Sequence, residues 1–209
     1  TNIGKYAAKI TLSNQTISRK FEITKAKPVI TLQDADYIYN GQSVSYTGSV
    51  SLANNEVYGG TINYSYRKAD TQDDFTNGLP MNAGVYEVKA AVDAEGNYSD
   101  SFATAKIKIE PKPITVTAEK KSKTYGDSTP EFTYTVDGLV EDEHLQDINF
   151  SVDNENAGSH SIVISQKAGA NPNYAITFVN GTLNVAQRQL DVEWSNTTLT
   201  YNRQAQTPT

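Results

Sequence analysis

The sequence predicts an all-β chain of tandem small antiparallel β-sandwich-like modules in an elongated array, and three observations predict it. Apolar and polar residues alternate with period two through most of the chain, the pattern of strands that turn one face to a core. Helical character is confined to the short acidic run 139–146 after the breaker Asp137-Gly138, which reads as a turn or a single helical turn linking two strands. Short phrases also recur at near-constant spacing, the mark of a repeat array. Asn2-Ile3-Gly4-Lys5-Tyr6, Asn82-Ala83-Gly84-Val85-Tyr86 and Asn156-Ala157-Gly158-Ser159-His160 stand 80 and 74 residues apart. Tyr39-Asn40-Gly41, Tyr125-Gly126-Asp127 and Tyr201-Asn202-Arg203 stand 86 and 76 apart.

The joints fall at Lys25-Ala26-Lys27-Pro28, Glu110-Pro111-Lys112-Pro113 and Ala186-Gln187-Arg188-Gln189, each followed at once by a fresh β-like run. Two whole repeats result, 28–111 and 113–187. Residues 1–26 read as the C-terminal half of a preceding repeat, and 188–209 as the start of a further one. Each end holds about two strands, and open strand edges recruit partners. The ends should therefore pair, either with the edge of the adjoining repeat or head-to-tail between molecules. Proline in the links fixes φ and keeps its predecessor extended, so the joints should be semi-rigid.

Within the first repeat the inward sets are Val44, Tyr46, Val50 and Leu52, then Ile62, Tyr64 and Tyr66, then Tyr86, Val88, Ala90 and Val92. The second repeat has Ile114 with Val116, Phe132 with Tyr134 and Val136, and Ile148 with Phe150 and Val152. Ile162 with Ile164, Tyr174 with Ile176 and Phe178, and Leu183 with Val185 complete it. Asn180-Gly181 has the chemistry of a tight hairpin. Yet Tyr98 precedes Ile107 and Ile109 by the same 9 and 11 residues that separate Tyr174 from Leu183 and Val185, and Thr104-Ala105 fills the corresponding place. Equal spacing predicts a bulge or bend inside one long final strand.

Composition narrows the function. The chain has 209 residues and no cysteine, so each repeat must hold its core without disulfides. A net charge of −6 argues against a nucleic-acid partner, which would demand clustered Lys and Arg. No signal peptide, lipidation signal or transmembrane run occurs, and a segment from within an array would hold none in any case. This segment is not expected to insert in a membrane.

The repeated residues read as structural. Gly84 and Gly158 are candidates for positive φ in a turn that the preceding Asn side chain helps to close, and Tyr86 opens an inward face. Tyr39, Tyr98, Tyr125 and Tyr174 occupy repeat-equivalent positions, as do Tyr6 and Tyr201. Tyr37 and Tyr58 are unassigned, and Trp194 alternates among charges, which leaves too few free aromatics for a sugar platform. Acidic clusters such as Asp93-Ala94-Glu95, Glu141-Asp142-Glu143 and Asp153-Asn154-Glu155 lack the spacing of a calcium loop and read as solvated loop acids. Asn184 lies between inward Leu183 and Val185 and should face outward, against a Lys–Asn crosslink. His144 and His160 are the only histidines; no nucleophile motif, phosphate loop or metal-ligand spacing accompanies them. No catalytic residue, cofactor site or metal site is expected.

The run Lys121–Asp127, then Pro130-Glu131-Phe132, Val136-Asp137-Gly138-Leu139, Asn156-Ala157-Gly158, Asn173-Tyr174 and Asn180-Gly181-Thr182-Leu183 resembles the MBG domain of YGX type, tandem modules of bacterial surface proteins and adhesins. Residues 28–111 resemble bacterial Ig-like repeats, and 188–209 the opening of another such unit. The resemblance implies Ig-like or β-grasp-like modules at a bacterial cell surface or cell wall, with neighbouring repeats as partners. It transfers no catalytic or ligand residue. His160 stands where the pattern usually has an aromatic, which bears on local packing. A structural stalk or adhesive segment of an extracellular bacterial protein follows as the leading reading. The alternatives are a module that binds host glycan or protein, and an accessory repeat region of a large secreted carbohydrate-active enzyme.

Overall fold

The computed structural model describes residues 2–52, 58–193, 195 and 198–207, and within them the chain is all-β, with several sheets and no helix. Two compact units emerge. The first takes the chain up to Ile114 together with Gly138–His144 and Asn171–Ile176; the second takes Thr115–Asp137, Leu145–Ala170 and the chain from Thr177 onward.

The first unit opens with β1 (Gly4–Leu12) and β2 (Gln15–Ile23), which pair with each other as an antiparallel hairpin. Its one apolar face, including Tyr6, Ile10, Leu12, Ile17 and Phe21, is exposed. There follow β3 (Val29–Thr31), β4 (Ala35–Ile38), β5 (Ser49–Ser51), β6 (Asn63–Lys68), β7 (Thr76–Asn77), β8 (Gly84–Val92) and β9 (Ser101–Glu110). β3 pairs with β5, and the rest form one sheet in the order β4-β9-β8-β6-β7. Val88, Ala90 and Ile107 are fully buried. Ile30 of β3 packs with Ala90 and Val92 of β8, with Val50, Ile62 and Tyr64 around them. Burying such side chains supplies about 1.5–3 kcal/mol each for the larger aliphatics.

Further along come β10 (Lys112–Ala118), β11 (Lys121–Thr124), β12 (Tyr134–Asp137), β13 (Ile148–Ser151), β14 (Gly158–Gln166), β15 (Tyr174–Val179) and β16 (Gly181–Ala186). They form a three-stranded sheet, β12-β10-β15, and a four-stranded one, β11-β16-β14-β13. Val116, Ile162 and Leu183 are fully buried in this part of the chain. The run 139–146 holds a turn at residues 141 and 142.

Asn180-Gly181 makes no hairpin, because β15 and β16 lie in different sheets. The long final strand bends there and crosses from one sheet to the other. Gly181 is needed for close approach: a Cβ would lie 2.7 Å from the Glu119 carbonyl oxygen and 2.8 Å from that of Ala118. The Asn180 side-chain oxygen accepts the Ile164 N–H at 3.3 Å, occupying a donor at the bend.

Two expectations are corrected. The larger sheets are mixed rather than antiparallel, because β4 joins β9 and β11 joins β16 in parallel. Period-two alternation reports which face is buried and carries no information on strand direction. Among the described residues from 187 onward there is no strand, where two were expected. Residue alternation makes a strand only when a ladder partner satisfies the backbone, and none of the described strands pairs with the described part of this run. Trp194 lies outside the described residues, as do Asn196 and Pro208.

The same register returns along the chain. Gly4 faces Ile23, Gly84 faces Ile109, and Gly158 faces Val185. Two residues on, Tyr6 faces Phe21, Tyr86 faces Ile107, and His160 faces Leu183. The parallel pairs agree too, with Ile38 opposite Glu110 and Thr124 opposite Ala186.

Candidate docking contacts

The Asn-x-Gly-x-aromatic phrase folds the same way in all three places. Gly4, Gly84 and Gly158 have φ of +151°, +154° and +144°, a region that glycine enters without the cost an L side chain would meet. The aromatic two residues later folds back over the glycine. The Tyr6 hydroxyl donates to the Asn2 carbonyl at 2.7 Å, and that of Tyr86 to the Asn82 carbonyl at 2.9 Å. His160 keeps the bond by another atom: its Nε2 lies 2.8 Å from the Asn156 carbonyl. Its Nδ1 lies 3.2 Å from Asp153, whose carboxyl is held low by the Asn154 backbone N–H and also by His160. The imidazole therefore replaces the phenol in its polar contact as well as in its place.

The tyrosine phrase is a turn with one residue in the left-handed region. Gly41 has φ +79° and Arg203 φ +70°, and in each the preceding Asn side chain accepts the N–H of the following Gln, at 3.0 and 2.9 Å. In Tyr125-Gly126-Asp127 the left-handed residue is Gly126, one place earlier, at φ +87°. Tyr39 and Tyr125 begin these turns with equivalent backbone bonds, to the carbonyls of Glu110 and Ala186 at 2.9 and 2.8 Å. Their rings differ sharply: Tyr39 is 5% exposed and Tyr125 is 51% exposed.

Tyr39 is covered within the first unit by Glu143 and Tyr174. Both phenol hydroxyls donate to the Glu143 carboxylate, Tyr39 to Oε1 and Tyr174 to Oε2, each at 2.5 Å. The two rings meet edge to face at 5.6 Å. The Tyr174 hydroxyl also accepts the Val140 N–H at 3.3 Å. Burial, and then the neighbouring carboxylate, push Tyr174 up to about 12 and raise Tyr39 as well. Gly41 lets this loop approach, since a Cβ there would lie 2.8 Å from Val140 Cγ1. Glu143 is thus no solvated loop acid, as expected from the sequence, but a half-buried acceptor for two phenols.

Asn173 holds the other side of this contact. Its Oδ1 accepts the Ala83 N–H at 2.9 Å, its Nδ2 donates to Asn82 Oδ1 at 3.1 Å, and its carbonyl accepts the Lys112 N–H at 2.9 Å. The same constellation stands earlier in the chain. Asn97 Oδ1 accepts the Ile3 N–H at 3.3 Å, and the Asn97 carbonyl accepts the Ala26 N–H at 2.8 Å. Tyr98 and Tyr174 then follow their asparagines with equivalent turns, each N–H bonding the carbonyl three residues back, Glu95 and Asn171. One contact therefore occurs twice: the middle amide of an Asn-x-Gly phrase on the side chain of an Asn-Tyr pair. Asn173-Tyr174 stands among the motifs quoted from the sequence, but Asn-Tyr also occurs at Asn63-Tyr64, so the dipeptide alone does not mark this contact.

The remaining side chains serve local structure. Tyr37 donates to the Ser45 carbonyl at 2.9 Å, and Tyr58 packs edge to face on Tyr98 at 5.4 Å. The Lys123 ammonium is nearly buried against Glu155 and Thr129, and with Lys123 foremost these partners hold the Glu155 carboxyl low. Glu155 is therefore also a partnered acid. Asn184 is exposed. A surface depression of about 500 Å³ is bordered by Arg67, Glu87 and Lys106, with Arg67 and Glu87 ion-paired at 2.7 Å. Among the described residues no three His, Asp or Glu side chains converge as metal ligands. No helix there is long and apolar enough to cross a membrane.

A search of curated proteins found no match. Residues 114–184 match the family model of the MBG domain (YGX type), a non-catalytic domain family typically found in surface proteins.

Proposed function

We propose that the chain is a non-catalytic segment of an extracellular bacterial surface or cell-wall protein, an elongated array of Ig-like or β-grasp-like repeats that spaces a distal binding or catalytic head from the cell. The observation that carries this reading is the repeated Asn–amide contact, which joins Ile3 to Asn97 and Ala83 to Asn173. A contact that recurs with the sequence period suits a chain whose repeats hold one another in series. The phrase residues Gly84, Tyr86, Gly158, Tyr39 and Tyr174 are engaged in turns, core and this contact, with Tyr98 in the equivalent turn. Such an array needs no ligand to act as a spacer.

The test is to place one, two or three copies of the chain between a cell-wall anchor and an epitope tag on a bacterial surface. Tag height above the wall rises in equal steps with copy number if the segment is a spacer. Small-angle scattering of the chain itself shows an elongated particle on this reading; a near-spherical particle contradicts it. A glycan array that returns tight binding, abolished by a surface substitution that leaves the fold intact, would favour a binding module instead.

A further inference from the structure

The contacts made in the first unit have an exposed counterpart in the second. Tyr125 matches Tyr39 in register and backbone bonding, yet its ring is 51% exposed against 5%. Ala157 matches Ala83 as the residue before the positive-φ glycine, and it is exposed. Asn156 matches Asn82. Arg188 matches Lys112 in its distance from the end of the last strand; its guanidinium donates to the Tyr125 carbonyl at 2.8 Å and pairs with Asp127 at 2.5 Å. A cation, paired with Asp127, thus stands beside the Tyr125 turn.

We propose that Tyr125, Asn156, Ala157 and Arg188 form a docking face for one kind of occupant, a further repeat of the YGX type. That repeat would present an Asn-Tyr pair and an acidic loop equivalent to Asn173-Tyr174 and Glu143. Its asparagine accepts the Ala157 N–H and donates to Asn156, and its carboxylate accepts the Tyr125 hydroxyl beside the Arg188 charge. The identification rests on the two filled examples, Ile3 on Asn97 and Ala83 on Asn173, and on the Tyr39–Glu143–Tyr174 clasp. A second copy of the present chain does not fit, because Asn97 and Asn173 are already engaged in their own unit. The proposal deepens the spacer reading and rests on it for the presence of further repeats, but it makes a separate claim: that the repeats latch.

The experiment compares the full chain with one in which residues 189–209 are replaced by a further copy of residues 113–187. Nitration by tetranitromethane is read tyrosine by tyrosine, and amide exchange is read at Ala157. In the unaltered 209-residue chain Tyr125 is modified readily and Tyr39 and Tyr174 are protected. In the extended chain Tyr125 modification and Ala157 exchange slow by about tenfold or more, as for groups that react only after local opening. Changing the Asn173 equivalent of the added copy to alanine restores both rates. Unslowed Tyr125 and Ala157 in the extended chain, whether or not the added copy folds, overturn the proposal. Asn173→Ala in the otherwise unaltered 209-residue chain is the second arm: it should expose Tyr39 to nitration, and no change there also overturns the latch. Either failure leaves stepwise tag height untouched, so loss of the latch is distinguishable from loss of the spacer.

Discussion

Gly84 and Gly158 share their backbone angle but not their surroundings. A Cβ on Gly84 would lie 3.2 Å from the Tyr86 hydroxyl, whereas on Gly158 the nearest atom is His160 Nε2 at 3.7 Å. Replacing either by valine should destabilise its own unit by about 1–3 kcal/mol through backbone strain. The Gly84 variant should lose more, because it also displaces the ring. Chemical denaturation followed separately in each unit checks both the size and the order. Tyr86→Phe removes one hydroxyl from the Asn82 carbonyl and should cost the first unit about 1 kcal/mol. His160→Tyr should be close to neutral, since a phenol makes this bond in the other two phrases, and His160→Leu should not. The positions of these residues were readable from spacing alone. Their bonds were not, because a ring that folds back on a carbonyl four residues earlier leaves the same period-two signature as one that merely faces a core.

At the level of strands, the bend at Asn180-Gly181 shows what spacing can decide against local chemistry. Asn-Gly alone favours a tight turn, but the equal distance from Tyr98 to Ile107 pointed to one continuous strand, and β15 and β16 do lie in separate sheets. The glycine is there because carbonyls of β10 and the next residue come within 2.8 Å of its missing Cβ. Gly181→Ala must push these backbones apart and should cost about 1–3 kcal/mol as an overpacking change; thermal unfolding measures it. Alanine at Gly169, where nothing lies within 4 Å of the added carbon, tests strain alone because φ there is +77°. The parallel pairings of β4 and β11 could not be read from sequence, since alternation is blind to direction. The strands expected near Leu190 failed for a related reason: a residue pattern proposes a face, and a partner makes the strand.

Across the molecule, the Tyr39–Glu143–Tyr174 clasp joins residues that are 104 and 31 positions apart. Neither distance matches the spacing of the recurring phrases, so the sequence pattern marks Glu143 only as a loop acid. The clasp carries its own pH signature. Tyr174 is pushed up to about 12, so the unfolded chain releases this proton first, near the ordinary value of 10. The stability it contributes is complete below pH 10 and is lost as pH rises toward 12. Unfolding measured across that range should show an alkaline limb in the first unit that Tyr174→Phe flattens.

Amide exchange at Ile3 and Ala83, followed in wild type, Asn97→Ala and Asn173→Ala chains, tests most directly whether one docking contact is used twice. Both amides should be protected in wild type. Asn97→Ala should release Ile3 and leave Ala83 slow, and Asn173→Ala should do the reverse. Free exchange of both amides in the unaltered chain, or release of neither by its own asparagine, would contradict the account.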